Sequence, residues 1–115
     1  MKRAFSIVAT VAALSVASAA AATEHTILIL PDAYFPQITY VDNGDSVRFV
    51  NVSGAEHNII AQDSSWEIGP IADQGEAVLS VNSVTERSFF NKDATGEDGT
   101  YIVQGDISFD TAPLN

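Results

Sequence analysis

The sequence predicts an all-β, two-sheet sandwich, and three observations carry that prediction. After residue 22 no apolar pattern repeats at the 3.6-residue period of a helix. Short runs rich in β-branched and aromatic residues are instead separated by Gly, Pro, Asn and Asp. An Asn43-Gly44 pair lies between two such runs. Both residues tolerate positive φ, which makes the pair the strongest short-range hairpin signal a sequence carries.

The elements follow in order. His25–Leu30 (HTILIL) is almost continuously apolar and reads as the first strand, closed by Pro31-Asp32. Residues 32–36 read as a connection, and Pro36, with no N–H for a ladder, marks where the next strand begins. Ile38–Val41 and Val47–Val50 are read as a hairpin about Asp42-Asn43-Gly44-Asp45. A polar loop then presents His57 ahead of the apolar run Ile59-Ile60-Ala61. Gly69–Gly75 is rich in turn residues, and Glu76–Val81 alternates as a half-buried strand should, with Ala77, Leu79 and Val81 on one face. Val84–Asn91 is centred on Phe89-Phe90, Lys92–Gly99 is a loop, and Tyr101–Phe109 is the last strand, with Gly105 allowing a bend or bulge.

The residues from Phe35 to Asn58 carry a resemblance. Phe35-Pro36, then Val41-x-x-Gly44-Asp45-x-Val47-x-Phe49-x-Asn51, then His57-Asn58 before a short strand, resembles the cupredoxins, the plastocyanin- and amicyanin-like blue-copper domains. Gly105-Asp106-Ile107-Ser108-Phe109 is similar to the family's closing strand. The resemblance implies a Greek-key β-sandwich, with His57 at the position of the first copper ligand and Asn51 beginning the loop that leads to it.

The rest of the implied ligand set is missing. A blue-copper centre uses two histidines and a cysteine thiolate, with a weak axial methionine. Reading back from Gly105 at the family's spacing puts Glu97 at the cysteine, Thr100 at the histidine and Val103 at the methionine. Aligning Phe89-Phe90-Asn91 with the usual strand end puts Asn91 at the cysteine instead. The chain contains no cysteine, its one methionine is Met1, and it has two histidines. What the sequence implies is therefore a degenerate, non-blue site.

His57 is the candidate metal residue, with Glu56, Asp63 or Glu97 as oxygen donors, and copper as the candidate cofactor. Without sulfur a soft Cu(I) site is not expected. The competing reading is a histidine kept for loop packing. If cleavage follows Ala22, Thr23-Glu24-His25 would form a second, N-terminal nitrogen set suited to Cu(II) or Ni(II). Asn51-Val52-Ser53 fits a glycosylation sequon. Trp66, Phe89 and Phe90 read as packing residues. No paired carboxylates, nucleophile arrangement or phosphate loop suggests an enzyme.

Residues 1–22 read as a signal peptide: Lys2 and Arg3, a short apolar stretch from Phe5 to Val16, then small residues. The expectation is an exported protein, periplasmic or secreted, with a domain over 23–115 and no membrane association once cleaved. That domain holds Arg48, Arg87 and Lys92 against fifteen carboxylates, a formal net charge of −12. Such a surface repels nucleic acid and anionic lipid and suits a basic exported or redox partner. With no cysteine, core packing alone must hold it together. Three functions are consistent with these features. They are a binding module acting through partner contact or weak metal binding, a copper or electron-transfer protein whose site a partner or second subunit completes, and a structural exported domain without metal.

Overall fold

The computed structural model describes residues 22–114. The signal-peptide reading falls, apart from Ala22, outside the described residues. Among the described residues nine strands form: β1 (Glu24–Leu30), β2 (Ala33–Phe35), β3 (Ile38–Tyr40), β4 (Ser46–Asn51), β5 (His57–Ala61), β6 (Glu67–Ile71), β7 (Glu76–Ser80), β8 (Ser88–Asn91) and β9 (Gln104–Ser108). They build a four-stranded sheet in the order β2-β1-β4-β7 and a five-stranded sheet in the order β3-β9-β8-β5-β6. The all-β sandwich expected from the turn spacing is what forms, and both sheets are mixed. β1 runs parallel to β4 and β3 parallel to β9, while the other neighbours are antiparallel.

The hairpin expected about Asn43-Gly44 does not exist. β3 pairs with β9 in one sheet, and β4 pairs with β1 and β7 in the other. The turn is an arch that carries the chain across the sandwich. Only Gly44 of the pair takes positive φ, at +96°, and the Asp45 amide donates to the Asp42 carbonyl at 3.0 Å, closing the turn. What the sequence could not show is where each strand spends its buried face. Thr39 and Val41 enter the interior from one sheet, and Val47 and Phe49 from the other. Strands paired side by side would point those residues the same way; across an arch they meet.

The buried Asp45 holds the arch in place. Its Oδ1 accepts from the Thr23 amide at 2.9 Å, and its Oδ2 accepts from the Asp42 amide at 2.9 Å and pairs with His25 Nε2 at 2.8 Å. Backbone bonds from Gly44 to the Val81 carbonyl and from Val81 to the Asp45 carbonyl tie the end of β7 to the same point. The start of β1, the arch and the end of β7 therefore converge on one carboxylate.

Two further elements escaped the sequence reading. The connection at 32–36 contains β2, hairpinned onto β1 with Leu30 opposite Ala33. The turn-rich segment at 69–75 overlaps β6, an edge strand that accommodates Gly69 and Pro70 at an irregularity in its pairing with β5. Gly69 has φ +137°, and a Cβ there would sit 2.5 Å from Asn58 Oδ1. Conversely, the strand expected over Val84–Asn91 is formed only from Ser88 onward.

The interior comprises Ile27, Ile29, Val47 and Phe49 from one sheet and Ile59, Ile71, Phe89 and Ile107 from the other. Phe89 is fully buried, and its ring lies on Gly105 of β9, where an added Cβ would overlap the ring carbons. Gly105 thus supplies a close approach between side chain and backbone, where a bulge was expected.

Gly105→Ala is accordingly expected to lower unfolding stability by about 1–3 kcal/mol, the usual cost of overpacking a core, as measured by urea titration. The amides of Thr23 and Asp42, followed by His25, lower the Asp45 pKa from its ordinary 3.8 to about 2. That stabilisation is complete above pH 4 and is lost as pH falls from about 4 to about 2, because the unfolded chain then binds the proton more readily. Melting temperature should fall more steeply across that window in the parent than in Asp45→Asn, which should already melt lower at neutral pH.

Candidate functional site

The end of the sandwich away from Asp45 is where β5 begins, β8 ends and the connection into β9 arrives. Asn51, fully buried at the end of β4, organises the approach. Its Nδ2 donates to the carbonyls of Ala55, Ile71 and Ala72 at 2.8, 2.9 and 3.2 Å, and its Oδ1 accepts from the Ser53 amide and hydroxyl. This fixes the loop that delivers His57, as the resemblance implied. It also removes Asn51 as a glycan acceptor in the folded protein, since its amide is enclosed and fully bonded.

His57 itself is 4% exposed and sits opposite Ile71 of β6. Its Nε2 lies 2.9 Å from the hydroxyl of Tyr34, and the two rings meet edge to face with centroids 5.6 Å apart. Tyr34 comes from β2, opposite Ile29 in β1, and is 3% exposed. Among the described buried side-chain atoms only Thr39 Oγ1 lacks a hydrogen-bond partner. Nδ1 of His57 has no hydrogen-bond partner among the described residues.

Burial dominates the electrostatics of the pair. It lowers the His57 pKa and raises that of Tyr34 well above the ordinary phenol value. The charge of Asp93 opposes the first effect and adds to the second. Asp93 is anchored by Asn58, whose Nδ2 donates to its Oδ2 at 2.9 Å. At neutral pH the site is a hydrogen bond between a neutral imidazole and a neutral phenol, with one carboxylate nearby.

The two alignments of the ligand loop are resolved by β8. Its last residue is Asn91, opposite Ile59 of β5, and Asn91 therefore occupies the strand-end position. Its Oδ1 accepts from the Asp93 amide at 2.9 Å and its own amide donates to the Val103 carbonyl at 3.0 Å. Asn91 thus closes a turn. Glu97 lies in an exposed excursion between Gly96 and Gly99, below an isolated bridge joining Thr95 to Tyr101.

The oxygen donors expected beside His57 are dispersed. Asp63 lies past the far end of β5, where its carboxylate accepts from the Ser65 amide. Glu56 and Glu97 are exposed. His25 is at the opposite end of β1, paired with Asp45. Ile29, the register partner of Tyr34, lies four residue steps along the strand from it, about 13 Å. No group of three or more His, Asp or Glu side chains suited to a metal exists among the described residues. The residues present do not fit a blue-copper centre.

Sequence reasoning missed Tyr34 and Asp93. Tyr34 lay in a segment read as a connection, and nothing local marks it as a histidine's partner. Asp93 was one of fifteen carboxylates. Beside Tyr34 an open pocket of about 240 Å³ is lined by Asp32, Ala33, Gln37, Ile102, Val103 and Gln104, and Ile102 in its wall is 65% exposed.

The depressed pKa of His57 has a direct readout. Its ring resonances should titrate with a midpoint below 6.5 by NMR, and Asp93→Asn should move that midpoint lower still, because the opposing charge is gone. The protein should lose stability as pH falls below about 6.5, where the unfolded chain gains a proton that the buried ring resists.

No family model matches the chain. Over 82 residues it is 34% identical to a protein described as DNA mismatch repair protein MutL from Crocosphaera subtropica; the match takes in 67% of the chain, which spans only 14% of that protein. Among solved structures it is similar to a reduced, Cu(I)-containing amicyanin mutant, with TM-score 0.59 and 13% identity over 74% of this chain and 80% of that one. It is also similar to the copper-containing nitrite reductase NirK from Thermus scotoductus SA-01, with TM-score 0.60 and 13% identity over 79% of this chain and 23% of that one. A Sinorhizobium pseudoazurin superposes with TM-score 0.52 and 16% identity over 75% of this chain and 72% of that one. The fold is that of the cupredoxins, and the loop that would carry cysteine, histidine and methionine is not preserved.

Proposed function

We propose that this chain is an exported cupredoxin-like binding module that acts through protein contact at its His57 end, with at most weak metal binding there, and that it is not an enzyme. The observation that carries this reading is Asn91. The strand-end position that would supply a thiolate holds an amide engaged in closing its own loop. Covalent Cu–S bonding, the source of a blue site's colour and of its affinity for Cu(I), has no donor in this chain.

Charge supports a basic partner. Arg48 is held between Glu24 and Glu76, Lys92 donates to Glu67 at 2.6 Å, and Arg87 lies over the Phe109 ring. With its cations engaged internally, the domain presents an excess of carboxylates, and the exposed Ile102 beside the pocket adds apolar area near His57. Complementary charge of this kind speeds encounter and selects partners. The same surface argues against a nucleic-acid role, although one sequence match is to a protein described as acting in DNA repair.

A second reading has one observation in its favour. Nδ1 of His57 has no hydrogen-bond partner among the described residues, so a partner or second subunit could complete a copper site around it. Titration of the processed protein with Cu(II), followed by absorbance and calorimetry, separates the two. We expect no intense blue band and weak binding that His57→Ala reduces at least about tenfold. Tight binding accompanied by dimerisation would favour the completed site, and an intense blue colour from the protein alone would overturn the proposal.

A further inference from the structure

We propose that Tyr34 and His57 form a metal-free one-electron redox pair, in which oxidation of Tyr34 is coupled to transfer of its phenolic proton to His57 and the electron leaves by way of Trp66. The inference does not depend on the partner or metal reading of the same end of the molecule.

The geometry supplies each requirement. A phenol is hard to oxidise while it keeps its proton, because the product would be a buried cation radical, and a positioned base removes that cost. Tyr34 Oη and His57 Nε2 are 2.9 Å apart, and both side chains are buried. With the phenol donating, His57 is the Nδ1–H tautomer and its Nε2 lone pair meets the hydroxyl proton, so donor and acceptor are already aligned for the transfer. The negative charge of Asp93 stabilises the imidazolium that the transfer creates.

A route to the surface is also present. The Phe89 ring touches Tyr34 at 4.8 Å and Trp66 at 5.9 Å between centroids, so one aromatic ring bridges the two oxidisable side chains. Trp66 is half-buried, and its indole N–H donates to the Glu86 carbonyl at 3.0 Å. The other tyrosines, Tyr40 and Tyr101, have no histidine partner among the described residues.

The step balances as follows. An outer-sphere one-electron oxidant removes one electron from Tyr34. The phenolic O–H bond breaks, the proton bonds to Nε2 of His57, and the products are a neutral phenoxyl radical, an imidazolium and the oxidant reduced by one electron. Re-reduction of the radical returns the proton to oxygen.

Photogenerated tris(bipyridine)ruthenium(III), applied to the full-length protein with freeze-quench EPR, tests this. We expect a tyrosyl signal in the parent and in Tyr40→Phe/Tyr101→Phe, and its loss in Tyr34→Phe, which keeps the ring packing. His57→Gln, which retains a hydrogen-bonding side chain without the basicity, should slow radical formation by about a hundredfold and remove its solvent deuterium isotope effect. Trp66→Phe should slow it without changing the identity of the radical. Circular dichroism establishes that each variant is folded. A signal that survives Tyr34→Phe, or an unchanged rate and isotope effect in His57→Gln, would overturn the proposal.

Discussion

The packing of Phe89 on Gly105 sets the rest of the interior. Because β9 offers no side chain at Gly105, the Phe89 ring of β8 passes close over its neighbour's backbone within the sandwich. There it meets Phe49 of the opposite sheet at 5.4 Å and nearly perpendicular, together with Tyr34 and Trp66. Edge-to-face pairs of this kind each add about 0.5–1.5 kcal/mol beyond the area they bury. A domain without disulfides depends on such contacts to fix the separation of its sheets. Tyr34 is held at the depth where its hydroxyl reaches His57 because Phe89 is beneath it.

The two ends of the molecule use polar groups in opposite ways. At one, Asp45 gathers two amides and a histidine around a single charge, and the cost of burying it is offset by the bonds it accepts. That arrangement is structural, joining three segments distant in sequence. At the other, His57 and Tyr34 share one hydrogen bond in apolar surroundings, with each group kept neutral and one imidazole nitrogen left unpaired. A neutral pair of that kind contributes about 0.5–1.5 kcal/mol net, less than a bond to a charged group.

The fold is similar to that of the copper proteins it superposes on, yet the chain holds no cysteine for a ligand loop. Where a thiolate would stand, Asn91 stabilises a turn, and the chain then makes a small excursion bridged by Thr95 and Tyr101 before entering β9. Phe90 stacks on Tyr101 at 5.1 Å, anchoring that excursion to the outer face of the sheet. This segment is a structured loop in its own right.

Much of this was legible in one dimension. Turn residues and strand periodicity determine an all-β fold, because Gly, Pro, Asn and Asp act through local backbone sterics. The resemblance over residues 35–58 located His57 and the asparagine that shapes its loop, and composition alone removed the thiolate. Which strands pair was decided elsewhere. Asn43-Gly44 makes the same tight turn in a hairpin or an arch, and only the interior, filled from both sheets by Val41 and Val47, selects the arch. Tyr34, Asp93 and the contact between Phe89 and Gly105 join residues far apart in the chain. Such pairings are settled by packing in three dimensions, for which sequence spacing carries no signal.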